Sequence, residues 1–170
     1  PLYREVSYAL SEISTRQLQR FSQQGRITLN TLVQGAWGLL LGRYSRESTV
    51  CFGVTVSGRQ APLSGIEEMI GLFINTLPLV VKIEAENTVK EYLLWIQTQH
   101  QNDNHYAYTP LFEIQQLSEV PGGTALFDSL LVFENYPLGN ALEQPADSFQ
   151  VEAFEGIEHT NYPLTVAIVP

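Results

Sequence analysis

Apolar and polar positions alternate along residues 3–10, Tyr-Arg-Glu-Val-Ser-Tyr-Ala-Leu, and a period of two predicts a strand. The period then lengthens. Ile13, Leu18 and Phe21 lie in a polar stretch that Ser11 or Ser14 can cap, predicting a short helix to about Gln24 with Gly25 at its C-terminal end. Thr28 or Asn30 opens the strongest helical pattern of the chain. Leu29, Leu32, Val33, Ala36, Trp37, Leu40, Leu41 and Tyr44 recur there at three-four spacing and are expected to form one buried face. At roughly 1.5–3 kcal/mol gross per large buried side chain, that face is expected to help anchor the core. Gly35 and Gly38 weaken the helix by about 1 kcal/mol each relative to Ala, so their expected use is close approach of another backbone.

Residues 49–57, Thr-Val-Cys-Phe-Gly-Val-Thr-Val-Ser, form a near-continuous apolar run of the kind buried on both faces of a sheet. A loop with Pro62 and Gly65 follows, and then Leu77, Leu79, Val81 and Ile83 alternate as a strand over 76–83. Asn87 and Thr88 offer caps for a helix to about His100 that buries Val89, Tyr92, Leu93 and Ile96, with Trp95 on its flank. A polar hinge precedes a short helix over 111–117, and Pro121-Gly122-Gly123 reads as a turn. Residues 126–137 predict a buried strand with a polar tip. After a loop at 138–147, two strands close the chain: 148–157 with Phe149, Val151 and Phe154, then 161–169 with Leu164, Val166 and Ile168. The order β-α-α-β-β-α-α-β-β-β predicts the α/β class (an α+β sandwich), a mixed sheet covered by helices.

Composition narrows the function classes. A chain of 170 residues, 44% apolar and 16% charged, is globular and forms one domain or one large subdomain. A formal charge of −9 with nine scattered basic residues argues against nucleic acid as a partner. No run of eighteen apolar residues marks a membrane span, and the first residues lack a basic stretch followed by an apolar one. The single cysteine, Cys51, excludes an internal disulfide and a cysteine-based zinc cluster; it fits a reducing, cytoplasmic setting and reads as an inert thiol in an apolar strand. The chain opens on Pro1, not Met, and closes inside the apolar run Ile168-Val169-Pro170, so it is expected to belong to something longer.

Catalytic motifs of the common kinds are missing. Val56-Ser57-Gly58 is not a nucleophile elbow, and neither a P-loop nor a dinucleotide fingerprint is present. Glu67, Glu68, Glu84 and Glu86 read as solvated faces. His100 sits late in a helix, where the dipole favours its cation; His105 among aromatic residues reads as structural, and His159 with Glu158 as a polar turn. Asn75 and Thr76 set a polar pair in apolar surroundings. A buried amide there must be hydrogen-bonded or cost on the order of 1–3 kcal/mol, so Asn75 is either a structural clamp or part of a site.

Ile70-Gly71-Leu72-Phe73-Ile74-Asn75-Thr76-Leu77-Pro78 resembles the (I/V)GxFVNT motif of condensation domains from non-ribosomal peptide synthetases, with Gly71, Phe73, Asn75, Thr76 and Pro78 as its motif positions. Ser57-Gly58-Arg59 precedes it at the family's spacing. Residues 101–113, Gln-Asn-Asp-Asn-His-Tyr-Ala-Tyr-Thr-Pro-Leu-Phe-Glu, are similar to the family's (H/N)QDYPFE region in diverged form, and Phe127–Pro137 resembles a further stretch of that family. Epimerisation domains, of the same fold, usually carry Gly-Trp-Phe-Thr at the first motif and Phe-Asn-Tyr-Leu-Gly where Phe133-Glu134-Asn135-Tyr136-Pro137 stands here. Both differences favour condensation. Heterocyclisation domains differ mainly in the half not seen here.

The resemblance implies the C-terminal, chloramphenicol-acetyltransferase-like half of a condensation domain over 1–170. The catalytic His-His-x-x-x-Asp-Gly motif then belongs to an N-terminal half absent from this sequence, so no catalytic residue is expected here and the chain alone is expected to be inactive. The implied reaction forms an amide between a donor acyl or peptidyl thioester and an acceptor aminoacyl amine. Both are held on 4'-phosphopantetheine arms of carrier domains upstream and downstream, with an adenylation domain adjacent. The N-terminal half is the further implied partner, and no directly bound cofactor or metal is expected. Asn75 is implied to face the tunnel between the halves, with Thr76 beside it, and Arg59 to pair with an acidic group across the cleft or remain a solvated loop arginine. Tyr108 is implied to shape the crossing segment, and Glu134, Asn135 and Tyr136 to line the acceptor side. A non-catalytic docking module, half of an epimerisation domain and a standalone acyltransferase are the other readings.

Overall fold

The structure, a computed structural model, describes residues 3–59, 63–134 and 160–170. The chain divides into two compact units, Pro1–Val50 with Val80–Asp103, and Cys51–Leu79 with Asn104–Pro170.

Three helices build the first unit. Helix α1, Glu12–Gly25, starts where Ser11 accepts from the Ser14 main-chain N–H at 3.2 Å. It ends one residue later than expected: Arg26, not Gly25, takes the left-handed conformation at φ 54° and caps the helix. Thr28 caps α2, Leu29–Ser45, by accepting from Thr31 N–H at 3.0 Å. The buried face of α2 is not the one its large apolar residues predict. Thr31, Gln34, Gly35, Gly38 and Gly42 are buried, while Ala36, Leu39, Leu40 and Tyr44 are exposed. The reason is close packing at the glycines. A Cβ on Gly35 would come 2.4 Å from Leu93, and one on Gly42 2.2 Å from Ile83. Small residues set this contact, and an apolar periodicity registers bulk. Gly35 and Gly38 are thus closely approached, but by the side chains of Tyr92, Leu93, Ile96 and Val81 and not by another backbone as their presence in a helix suggests.

Helix α3, Val89–Asp103, supplies the other side of that contact through buried Tyr92, Leu93 and Ile96, as the spacing predicts; Val89 is exposed. Tyr92 donates its hydroxyl to the Gly35 carbonyl at 2.9 Å, and burial pushes its pKa up to about 12. Thr88 and Glu91 form a reciprocal box at the start of α3: Glu91 N–H donates to Thr88 Oγ1 at 3.3 Å, and Thr88 N–H to the Glu91 carboxylate at 2.9 Å. The hydroxyl and main-chain bonds from Thr88 hold the Glu91 pKa below the usual carboxylate range. At the other end, Gln97 accepts from Thr28 N–H at 2.9 Å and donates to the Arg26 carbonyl at 3.1 Å, fixing the α1–α2 junction.

Residues 3–10 are not a strand. They form no regular element, and Tyr3, Val6, Tyr8 and Leu10 are all exposed. An alternating pattern becomes a strand only beside a sheet edge that completes its hydrogen bonds, and the described sheet does not include this segment.

One sheet has the strand order β2-β1-β3-β4, with β1 Thr49–Val56, β2 Asn75–Lys82, β3 Ser129–Phe133 and β4 Leu164–Ile168. Strand β1 runs parallel to β3 with Gly53 opposite Leu130, and β3 parallel to β4 with Leu131 opposite Val166. Strand β2 lies at the edge of the sheet formed by the described residues, a place where Pro78 is tolerated because it has no N–H to give a second neighbour. In the second unit, Phe52, Val54, Leu77, Leu79, Phe127, Leu130 and Leu131 form the core. Helix α4, Leu111–Leu117, follows a single 3-10 turn at Asn104–Tyr106 and matches the predicted range. The α/β class, with one sheet and helices, is thus borne out. The expected strand at 148–157, the loop at 138–147, and Glu158 and His159 lie outside the described residues.

Candidate functional site

Three segments singled out by sequence meet within the second unit. The first leaves β1 at Ser57-Gly58-Arg59. Gly58 has φ 66°, and a Cβ on it would stand 1.8 Å from the Phe73 carbonyl oxygen, so the segment passes directly over the backbone of the second motif. Arg59 reaches the same place by its side chain. Its guanidinium donates to the carbonyls of Ile66 at 2.7 Å and Met69 at 3.0 Å, and lies 4.5 Å from the centroid of the Phe73 ring. Ile66 is buried, and a series of turns between Leu63 and Met69 aims those carbonyls at the arginine.

Arg59 is therefore neither paired with an acidic group among the described residues nor a freely solvated arginine. A planar, weakly hydrated cation suits this place because it can stack on a ring while donating in its own plane. Arg59→Lys keeps the charge but loses the stack and one carbonyl bond. It is expected to lower stability by about 1–2 kcal/mol in urea unfolding, and an unchanged midpoint would contradict this reading.

The second segment carries Gly71, Phe73, Asn75 and Thr76. A Cβ on Gly71 would touch the Phe73 ring at 3.3 Å. Asn75 begins β2, and both its amide donors are engaged: Nδ2 donates to the Ala107 carbonyl at 2.9 Å and the Thr109 carbonyl at 2.7 Å, while Oδ1 accepts from Thr76 N–H at 2.9 Å. These bonds are those of a clamp. It pins the third segment, residues 104–110, already folded by Ala107 N–H to Asn104 at 3.2 Å and Thr109 N–H to Tyr106 at 2.8 Å. Ala107 is buried, whereas Tyr108 remains 56% exposed.

Asn75, Thr76, Arg59, Phe73 and the loop bearing Tyr108 are thus brought together. Glu134 is held elsewhere, its N–H donating to the Ile168 carbonyl at 2.8 Å beyond the end of β3. Asn135 and Tyr136 lie outside the described residues. The carbonyls of Ile66, Met69, Ala107 and Thr109 escape sequence reasoning because every residue has one; only the glycines and the lone amide signal that something is gripped there.

Among the described residues, the titratable groups outside this cluster offer no second centre. Half-buried His100 has its pKa lowered by burial, which overrides the helix-end effect expected to favour its cation. Burial disfavours its cation in the folded chain, so stability is lost as pH falls from the ordinary 6.5 through the lowered value. Burial raises the pKa of Asp103. His105 is exposed, as are Glu67, Glu68, Glu84 and Glu86. Burial pushes the Cys51 thiol up to about 11, the behaviour of an inert thiol. Alkylation of Cys51 by iodoacetamide at pH 8 is expected to run at least about tenfold slower in the folded chain than in urea; equal rates would contradict that. No group of three or more His, Cys, Asp or Glu placed to hold a metal occurs among the described residues, nor any helix long and apolar enough to cross a membrane.

The family model described as Condensation domain matches residues 3–170. A linear gramicidin synthase of Brevibacillus parabrevis is 48% identical over 168 residues, covering 99% of this chain but 2% of that protein. In fold, the chain is similar to holo-AB3403, a four-domain nonribosomal peptide synthetase bound to AMP and glycine, with a TM-score of 0.68 and 20% identity over 76% of this chain and 10% of that one. It is also similar to the first condensation domain of the calcium-dependent antibiotic synthetase in complex with a substrate analogue, with a TM-score of 0.59 and 14% identity over 70% and 26% of the two chains. The chain therefore spans a small part of the relatives it matches. With its motif segments gathered and the match running nearly end to end, the chain belongs to the condensation domain family.

Proposed function

We propose that residues 1–170 form the C-terminal half of a condensation domain within a non-ribosomal peptide synthetase, working in secondary-metabolite biosynthesis. In the proposed reaction, the amine of a carrier-bound aminoacyl group attacks the thioester carbonyl of a carrier-bound donor. The C–N bond forms, the C–S bond breaks, and the amine proton leaves as the donor carrier's phosphopantetheine thiol is released. The 4'-phosphopantetheine arms are thus substrate carriers that belong to neighbouring carrier domains, and an adjacent adenylation domain would load the acceptor.

The observation that carries this reading is the Asn75 clamp, which joins the stretch resembling (I/V)GxFVNT to the stretch resembling (H/N)QDYPFE. A family match alone would be met by any chain of the right sequence. Here the matched segments are also bonded to one another, with Gly58 and Arg59 closing over Phe73. No histidine of this chain stands in a His-His-x-x-x-Asp-Gly arrangement. The acid–base group of the reaction would therefore come from the N-terminal half.

Peptide formation tests the proposal. The chain is joined to an N-terminal half carrying His-His-x-x-x-Asp-Gly and supplied with a donor and an acceptor carrier protein, each loaded. Mass spectrometry of the acceptor carrier is expected to show the joined product, and none with residues 1–170 alone. No product from the complete domain, with both carriers loaded and bound, would assign the chain to a docking module instead.

A further inference from the structure

The Asn75 amide does not grip its loop at random, for the two carbonyls it holds, Ala107 and Thr109, flank one residue, Tyr108. We propose that Tyr108 is a substrate-contacting residue and that Asn75 is a positioning residue that acts through it. This rests on the condensation reading above.

An asparagine that donated to substrate would need a free N–H. Asn75 has none, because both Nδ2 bonds end on main-chain oxygens and Oδ1 accepts from Thr76. What those bonds leave available is the side chain between them. Ala107 is 1% exposed and Thr109 half-buried, yet Tyr108 is 56% exposed. A further bond, Thr109 N–H to the Tyr106 carbonyl at 2.8 Å, closes the main chain around it. An exposed aromatic residue on a loose loop must lose backbone freedom when it binds. On a pinned loop that ordering cost has already been met during folding, so more of the contact appears as affinity. Tyrosine adds a ring face for apolar parts of a substrate and a hydroxyl that can donate to a thioester or amide carbonyl, the groups the proposed reaction consumes and makes.

Tyr106 supplies an internal control. It is also exposed, at 65%, but lies on the 3-10 turn, and its carbonyl is held by Thr109 instead of Asn75.

The test is a double-mutant cycle in the complete condensation domain with loaded carriers. Asn75→Ala is expected to lower kcat/KM by at least about tenfold beside Tyr108 and by less than about threefold beside Tyr108→Ala, since a residue that acts through another loses its effect when the other is gone. With Tyr106→Ala the tenfold effect is expected to persist. Hydrogen exchange provides a readout independent of turnover. In Asn75→Ala the amides of Ala107 and Thr109 are expected to exchange faster, while those of Leu130 and Leu131 in β3 are unchanged. If Asn75→Ala does not fold, Asn75→Ser keeps an acceptor for Thr76 with one donor fewer and serves in its place. Equal losses in both Tyr108 backgrounds, no loss in either, or unaltered exchange at 107 and 109 would each overturn the proposal while leaving the condensation reading intact. A wild-type domain that forms no product overturns both.

Discussion

Gly58→Ala should destabilise the protein by at least about 3 kcal/mol, the largest single-residue effect expected in the chain. Two costs act together. The left-handed conformation at φ 66° disfavours any Cβ by about 1–2 kcal/mol. The new methyl would also stand 1.8 Å from the Phe73 carbonyl oxygen and 2.9 Å from its carbon, and these are backbone atoms that no rotamer change can clear. The segment must separate from the second motif, which also moves the arginine beside it off the Phe73 ring. Guanidinium unfolding followed by tryptophan fluorescence measures the loss, and a variant within about 1 kcal/mol of wild type would show that Gly58 and Phe73 are not in this contact.

Asn75→Ala is the second large effect, at about 2–3 kcal/mol, because it strands the Ala107 and Thr109 carbonyls and the Thr76 N–H in partly buried surroundings. Asn75→Asp should be worse at neutral pH although it is closer in shape. One carboxylate oxygen can still accept from Thr76, but the other would face two carbonyl oxygens where the amide donated to both. That repulsion raises the pKa of the new carboxyl in the folded chain. Its protonated form can donate one bond, so the stability of Asn75→Asp should be highest at low pH and fall as pH rises through that raised pKa. Urea unfolding at several pH values separates the two variants. If Asp proved as stable as Asn at pH 7, the amide protons would not be donors to this loop.

Much of this architecture is legible in the sequence because it depends on local rules. Ser11 and Thr28, each one of two candidate caps, cap the helices they precede, and helix α4 spans the predicted residues. Helix α2 shows where the reading fails. Its large apolar residues form a convincing stripe, yet Gly35, Gly38 and Gly42 make the close contacts, and only the facing Leu93, Val81 and Ile83 give those glycines their meaning. Residues 3–10 fail for a related reason: alternation signals a strand, but pairing is a property of the neighbour.

The site was legible in kind and not in connection. Asn75 stands out as a polar residue in apolar company, and the alternatives of clamp and site follow from the chemistry of an amide. Which carbonyls it holds does not, since Ala107 and Thr109 are distant in sequence and contribute only backbone atoms. Arg59 illustrates the same limit. A loop arginine suggests a carboxylate or solvent, and its partners among the described residues are two carbonyls and a ring.

The most direct test of the account is hydrogen exchange at the Asn75 side-chain amide in the wild-type chain, read by NMR beside the exposed Asn102. With both donors committed to Ala107 and Thr109, the Asn75 protons should exchange at least about tenfold more slowly than those of Asn102 and remain protected until the 104–110 loop opens. Exchange at the same rate as Asn102 would mean that the clamp is open in solution and that the three segments are not joined through it.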